Sequence, residues 1–234
     1  MNALKKILGY FSVFEWLLWS GSTLVITLAF VLGGEFYPLT LIASLVGVTA
    51  LIFLAKGNVL GQALVVLVSI LYAAVAYSER FYGEMITYVG MTLPSAVAAC
   101  VSWLKNPSGK GRSEVKIAQM TKKKWVVLCA LTAGVTAAFY FVLKYFDTNN
   151  LPVSTLSVAT SFFASMLTVF RSPYYALAYA ANDLVLIGLW SYACFSSLSY
   201  LPMVVCFVAF LFNDGYGFFN WRRMQKKQME NFMK

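Results

Sequence analysis

A chain of 234 residues could hold one or two soluble domains, but its composition excludes that class. Hydrophobic residues make up 60% and charged residues 12%, against roughly 45–50% and 25% in soluble domains. With no His and only nine scattered acids, Ser-His-Asp, Cys-His, His-metal and carboxylate-metal chemistry are excluded. The net charge of +9, in so apolar a chain, belongs against anionic membrane lipid rather than nucleic acid. What remains is an all-α integral membrane protein that is not an enzyme. Cys100, Cys129, Cys194 and Cys206 stand in apolar runs without C-x-x-C spacing and read as small hydrophobes. No cofactor is called for.

A spanning helix needs about 20 apolar residues. In chain order the predicted spans are 15–33, 38–55, 59–77, 82–103, 125–144, 152–170, 174–194 and 199–219. Turn or charge signals separate them: GGEFYP, KGN, SERFYGE, FDTNNLP, RSP and SSLSYLP. Lys5 and Lys6 precede a full-length first span with no small-residue cleavage site after it. That end therefore reads as a retained helix and not a secretory signal. With the N-terminus cytoplasmic, sixteen of the eighteen basic residues fall inside, and Arg80 and Lys144 fall outside. The Lys/Arg bias of short loops sets orientation, so eight spans with both termini cytoplasmic are expected. The chain divides into a first membrane half (1–104), a basic cytoplasmic linker (105–124), a second half (125–221) and a basic cytoplasmic tail (222–234). The linker, KNPSGKGRSEVKIAQMTKKK, reads as a mobile connection touching headgroups. Its GKGRS lacks the spacing and preceding strand of a phosphate loop.

The two halves resemble each other. At an offset of 115, Lys56 aligns with Arg171 and Tyr77 with Tyr192; at 118, Trp103 aligns with Trp221. The unit is either three spans, with span five as connector, or four. In both cases the two copies are expected to run parallel through the membrane, a known transporter plan.

Most spans lack charge, so the exceptions are informative: an acid at mid-bilayer costs roughly 2.5–3.5 kcal/mol. Span seven carries Asn182-Asp183 and span eight Asn213-Asp214. Tyr175, Tyr179, Asn182 and Leu186 share one helical face, with Trp190 one turn beyond. Tyr216 follows Asn213 at i+3, and Gln62 lies in span three. Aromatic rings interleaved with amides and acids suit a flat heteroaromatic ring joined to a polyol: rings stack, amides bond hydroxyls, and acids tolerate a cationic ring. Gln62, Tyr175, Tyr179, Asn182, Asp183, Trp190, Asn213 and Tyr216 are the candidate substrate-binding residues. The plainer readings stand beside this one: Asn182 and Asn213 as glue between helices, Asp183 as a structural acid, Asp214 as an interfacial acid near Arg222 and Arg223, and Gln62 as packing. Glu84 reads as a solvated loop-edge charge. Trp16, Trp19, Trp103, Trp125 and Trp221, at span ends, read as interfacial anchors. Pro94 is expected to break span four. Gly57, Gly61, Gly90, Gly215 and Gly217 are expected to allow close approach or bending.

At NDGYGFFNWRRM (213–224), SWLKN (102–106) and YGEMITYVGMTLP (82–94), the sequence resembles the PnuC family of bacterial nicotinamide riboside transporters. The resemblance implies uptake of nicotinamide riboside through the inner membrane by facilitated diffusion, with phosphorylation trapping it inside. It also implies two SWEET-like three-helix bundles and a homotrimer. By residue, Gln62 and Asn182 match the amides the family uses for ligand, and Asn213 matches less closely. One departure stands out. Many members carry Trp-x-x-Trp before the polar residue of span seven; here the segment reads Tyr174-Tyr175-Ala176-Leu177-Ala178-Tyr179. Thiamine and riboflavin, carried by relatives of the family, are the alternative substrates. A substrate-binding membrane subunit that needs a partner is the other alternative.

Overall fold

The computed structural model describes residues 9–33, 38–78, 80–109, 113–148 and 150–232. Lys5, Lys6, Lys110, Arg112 and Lys234, used above for topology, lie outside the described residues. Among the described residues, eight helices are long and apolar enough to cross a membrane. They are α1 (Val13–Leu32), α2 (Pro38–Ala55), α3 (Val59–Ser78), α4 (Tyr82–Leu104), α5 (Lys122–Tyr145), α6 (Leu151–Val169), α7 (Tyr175–Cys194) and α8 (Leu201–Phe232). Seven match the predicted spans closely.

Local chemistry explains most of the ends. Ser12 caps α1 through a reciprocal box with Glu15: Ser12 Oγ accepts from Glu15 N (3.2 Å), and Glu15 Oε2 accepts from Ser12 N (2.7 Å). Thr121 caps α5, and Pro152 opens α6, where no N–H is needed. Inside the spans, Ser44, Thr49, Ser69, Thr155 and Thr168 return their hydroxyls to the carbonyl four residues back, which satisfies them in an apolar medium. Pro94 acts as expected. Lacking an N–H, it follows a wide π-type turn at Tyr88–Thr92 that interrupts α4. The exception to the boundaries is α8, which continues to Phe232. WRRMQKKQMENF contains no Gly or Pro and is rich in helix formers, so the helix runs on where the apolar stretch stops.

The helices close a ring. α2 packs on α3, α3 on α4, α4 on α6, α6 on α7, α7 on α8, and α8 back on α2. α1 lies outside the ring against α8 and α2, and α5 lies outside it, chiefly against α6. Two contacts across the ring correspond. Trp103 Nε1 donates to the Thr168 carbonyl (3.0 Å) and Ser102 Oγ to that of Val169 (2.8 Å). Trp221 Nε1 donates to the Leu54 carbonyl (2.8 Å) and Asn220 Nδ2 to that of Ala55 (2.8 Å). Each indole thus adds a second donor to a helix-end carbonyl that also accepts from the following turn, Leu54 from Gly57 N and Thr168 from Arg171 N. The two rings also meet, with centroids 5.3 Å apart. Trp103 and Trp221 are therefore buried core residues and not the interfacial anchors expected; Trp16, Trp19 and Trp125 are half-buried. Gly57 and Arg171 end the two corresponding turns with φ of +63° and +57°, placing the structural register one residue away from the Lys56–Arg171 alignment. Gly61 allows close approach: a Cβ there would lie 2.7 Å from Leu54 N. Gly215 meets nothing.

The segment after α4 departs from expectation. It is not free. Ser108 N donates to the Glu114 carbonyl, Lys116 N to Asn106, Val115 N to Gly57 and Ala118 N to Arg171, at 2.8–3.0 Å. Val115 is 1% exposed, within a cluster that includes Leu54, Trp103, Leu167, Tyr175 and Trp221. The run Glu114-Val115-Lys116-Ile117 alternates polar and apolar residues, the pattern of a half-buried extended strand.

Candidate functional site

Asp183 on α7 and Asp214 on α8 are 4% and 5% exposed. Their carboxyl groups are close enough to interact with each other. Neither forms an ion pair among the described residues, and Asp183 Oδ2 is buried without a hydrogen-bond partner. Two adjacent carboxyls deep in a bundle are costly unless a cation or proton offsets them.

Aromatic groups flank the pair. Asp214 lies close to Tyr175 and Tyr179, which stand one turn apart on α7 with ring centroids 6.3 Å apart. Tyr175 also meets Trp221 edge-on at 4.7 Å. Tyr179 OH bonds Ser165 Oγ (2.9 Å), and Asn182 Oδ1 accepts from Thr160 Oγ1 (2.7 Å), so α6 orients both polar groups of α7. On its other side, Asp183 neighbours Cys206, which contacts Ser44 and Tyr72. Ser44 Oγ and Tyr72 OH are 2.9 Å apart, and the Tyr72 ring stacks on Tyr88 at 5.4 Å. A polar seam thus crosses the ring from α2 and α3 to α7.

The structure brings Tyr175, Tyr179, Asn182 and Asp183 into one neighbourhood with Asp214. Gln62, on α3, is 2% exposed, and its Nε2 has no hydrogen-bond partner, a condition that costs about 1–3 kcal/mol and suits a group awaiting a ligand. Asn213 and Tyr216 face elsewhere. Asn213 Nδ2 donates to Ser22 Oγ (3.0 Å) and the Ala209 carbonyl (2.8 Å), and Tyr216 OH to Glu15 Oε1 (2.8 Å). Both thereby join α8 to α1. Trp190 stacks near Tyr200, toward the opposite end of α7 from Tyr175.

In the sequence Asp214 reads equally well as an interfacial acid or as part of a polar lining; its approach to Asp183 emerges only when α7 and α8 pair. Sequence reasoning passed over Ser44 and Tyr72, which carry no sequence signal. Glu15, paired with Lys56 at 3.0 Å, was legible as the last residue of Ser-x-x-Glu before an apolar run. Two open grooves lie elsewhere. One of about 610 Å³ is lined by Cys129, Thr136, Tyr140 and Phe163, and one of about 520 Å³ by Trp125, Thr160, Tyr174 and Ala178. Both open beside α5 and α6, and neither has Asp183 or Asp214 in its wall.

The comparisons with known proteins agree with this architecture. The profile of the nicotinamide mononucleotide transporter family matches residues 37–223. The nicotinamide riboside transporter PnuC of Neisseria mucosa is 24% identical over 190 residues, covering 80% of this chain and 72% of that one. The protein of the same name from Haemophilus influenzae is 25% identical over 191 residues, covering 81% of each. A crystal structure of the vitamin B3 transporter PnuC superposes with a TM-score of 0.78 at 23% identity, covering 93% of this chain and 94% of that one. With the family profile spanning most of its ring of helices, the chain belongs to the nicotinamide mononucleotide transporter family, that of the PnuC proteins, and is a multi-pass protein of the cell membrane.

Proposed function

We propose that this protein carries nicotinamide riboside across the cell membrane by facilitated diffusion, with phosphorylation inside the cell trapping the product. The observation that carries the reading is the buried Asp183–Asp214 pair beside Tyr175 and Tyr179. The riboside's pyridinium ring is a flat cation, and two carboxyls that have no ion-pair partner among the described residues supply its counter-charge while the tyrosines supply ring faces. A mononucleotide would bring a phosphate against the same carboxyls, where like charges repel, and no Lys or Arg pairs with them among the described residues. Gln62 and Asn182 are assigned to the carboxamide and ribose hydroxyls. Thiamine, also a cationic ring, is the second reading, favoured by tyrosines standing where many members have Trp-x-x-Trp. Riboflavin is neutral and fits the pair less well.

Architecture supports a carrier. We read α2–α4 and α6–α8 as parallel three-helix repeats with α5 as connector, on the reciprocal Trp103 and Trp221 bonds. The basic residues assign both termini to the cytoplasm. A homotrimer is the proposed assembly.

The test is a thermal-shift panel on purified protein. Nicotinamide riboside should raise the melting temperature, thiamine less, and nicotinamide mononucleotide and riboflavin little. Asp183→Asn should weaken riboside binding about thirty-fold or more, ~2 kcal/mol. A larger shift with the mononucleotide than with the riboside sinks the reading.

A further inference from the structure

The extended segment 113–121 crosses the end of the ring where α2 and α6 finish. It is bonded to both halves at corresponding positions. Val115 N donates to Gly57 O (2.9 Å) and Ala118 N to Arg171 O (3.0 Å), and these acceptors are the left-handed residues that end the two turns. Val115 is inserted beneath Trp103, Trp221 and Tyr175, and Ile117 and Met120 pack on the same cluster. The extension of α8 fastens the segment chiefly through Gln228, with a weaker contact from Gln119 Nε2 to Met229 Sδ (3.8 Å). Gln228 Oε1 accepts from Ile117 N (2.9 Å), and its Nε2 donates to Glu114 Oε1 (2.7 Å) and to the Val115 carbonyl (3.0 Å). One amide thus makes three hydrogen bonds, each to the segment.

We infer that residues 113–121 are the bar of the gate at the basic end of the protein, and that Gln228 is the residue that holds it shut. A solute passing from the Asp183–Asp214 region toward this end meets Trp103, Trp221 and Val115 packed together. Parting the ends of α2 and α6 breaks either the Gly57 or the Arg171 bond, because one short strand spans both. Release of Gln228 removes the three polar bonds to α8 and leaves the apolar packing of Val115 on Trp221 and Met224 and the weak Gln119–Met229 contact, so the bonds to α2 or α6 can yield with less drag on that helix. The inference rests on the reading of the protein as a carrier, but not on which solute it carries.

The test uses the whole chain with Cys100, Cys129, Cys194 and Cys206 replaced by Ala or Ser, and Leu54→Cys as reporter. Leu54 is 4% exposed in the same cluster. In detergent, Gln228→Leu should raise the maleimide labelling rate at this reporter about tenfold, equivalent to ~1.4 kcal/mol less to open. A second variant, Glu114→Cys with Gln228→Cys and no reporter, bridged by a reducible methanethiosulfonate cross-linker, should stop riboside flux in proteoliposomes until a reductant restores it. Labelling at the parent rate in folded Gln228→Leu overturns the gate, as does full flux through the bridged protein. Should Gln228→Leu fail to fold, the bridged pair decides alone. Labelling needs no solute. Fastener-dependent labelling in a protein that does not bind the riboside therefore leaves the gate standing and removes only the substrate reading.

Discussion

At Tyr179 and Asn182 the proposed site is half-formed by its own scaffold. Ser165 and Thr160, both on α6, hold the Tyr179 hydroxyl and the Asn182 oxygen. The Tyr179 ring face and the Asn182 NH2 group are left as the groups available to a ligand. Asn182→Leu removes an amide from a buried site, and losing such a bond costs about 1–3 kcal/mol. Riboside binding measured by calorimetry should weaken about 5- to 150-fold. Tyr179→Ala should do similar damage and Tyr179→Phe little, because Phe keeps the ring. Unaltered binding in Asn182→Leu would mark the amide as helix glue to Thr160. The face of α7 was legible from the 4, 3, 4 spacing of Tyr175, Tyr179, Asn182 and Leu186. The direction of Asn213 and Tyr216 was not, because a side chain's stripe on α8 does not say which neighbouring helix lies against it.

Among the elements, α1 stands outside the ring yet is tied to it by polar bonds. Glu15 caps its own helix, pairs with Lys56 and accepts from Tyr216. Lys56 Nζ also sits 4.8 Å over the Tyr10 ring. Trp19 donates to Thr49, and Asn213 to Ser22. Glu15→Ala removes a capping partner and leaves the Tyr216 hydroxyl unpaired. It also strands Lys56, which is 21% exposed, so water recovers part of the loss. A destabilisation of ~2 kcal/mol follows, visible as a lower melting temperature in detergent. Unchanged melting would mean that α1 is held by its apolar face alone. Conservative replacement with Gln should recover part of the loss, since its carbonyl can still accept from Tyr216.

At the scale of the whole molecule, the two halves hold each other through equivalent tryptophans. Trp103→Phe and Trp221→Phe each delete one indole donor to a carbonyl at the end of α6 or α2. Each should cost about 1–3 kcal/mol, and the two costs should match. Strongly unequal melting shifts would argue against equivalent repeats. Orientation is tested along a single helix. Lys123 and Tyr145 are exposed near opposite ends of α5. In intact cells carrying an otherwise Cys-free protein, Lys123→Cys should be protected from an impermeant thiol reagent, and Tyr145→Cys should be labelled. The reverse pattern would invert the topology.

Span number, span limits and the basic bias came from composition and order alone, because a bilayer imposes one length and one polarity on every crossing segment. The alignment of Trp103 with Trp221 was also visible, although their burial was not. An indole at a span end satisfies the pattern of an anchor equally well, and only the approach of α2 and α6 supplies the carbonyls that draw it inward. The same reason left two readings of Asp214 open. The charge is evident in the chain, but its partner Asp183 is thirty-one positions away and reached only through the α7–α8 packing. Segment 105–124 looked mobile because Gly, Ser and Lys dominate its composition. Its Val115 became a core residue, with Ile117 half-buried against the same cluster, because the ring of helices offers an apolar floor beneath Trp103 and Trp221. Local sequence carries the periodicity of each element; contacts between elements distant in sequence decide what each face meets, and therefore which polar groups form a site.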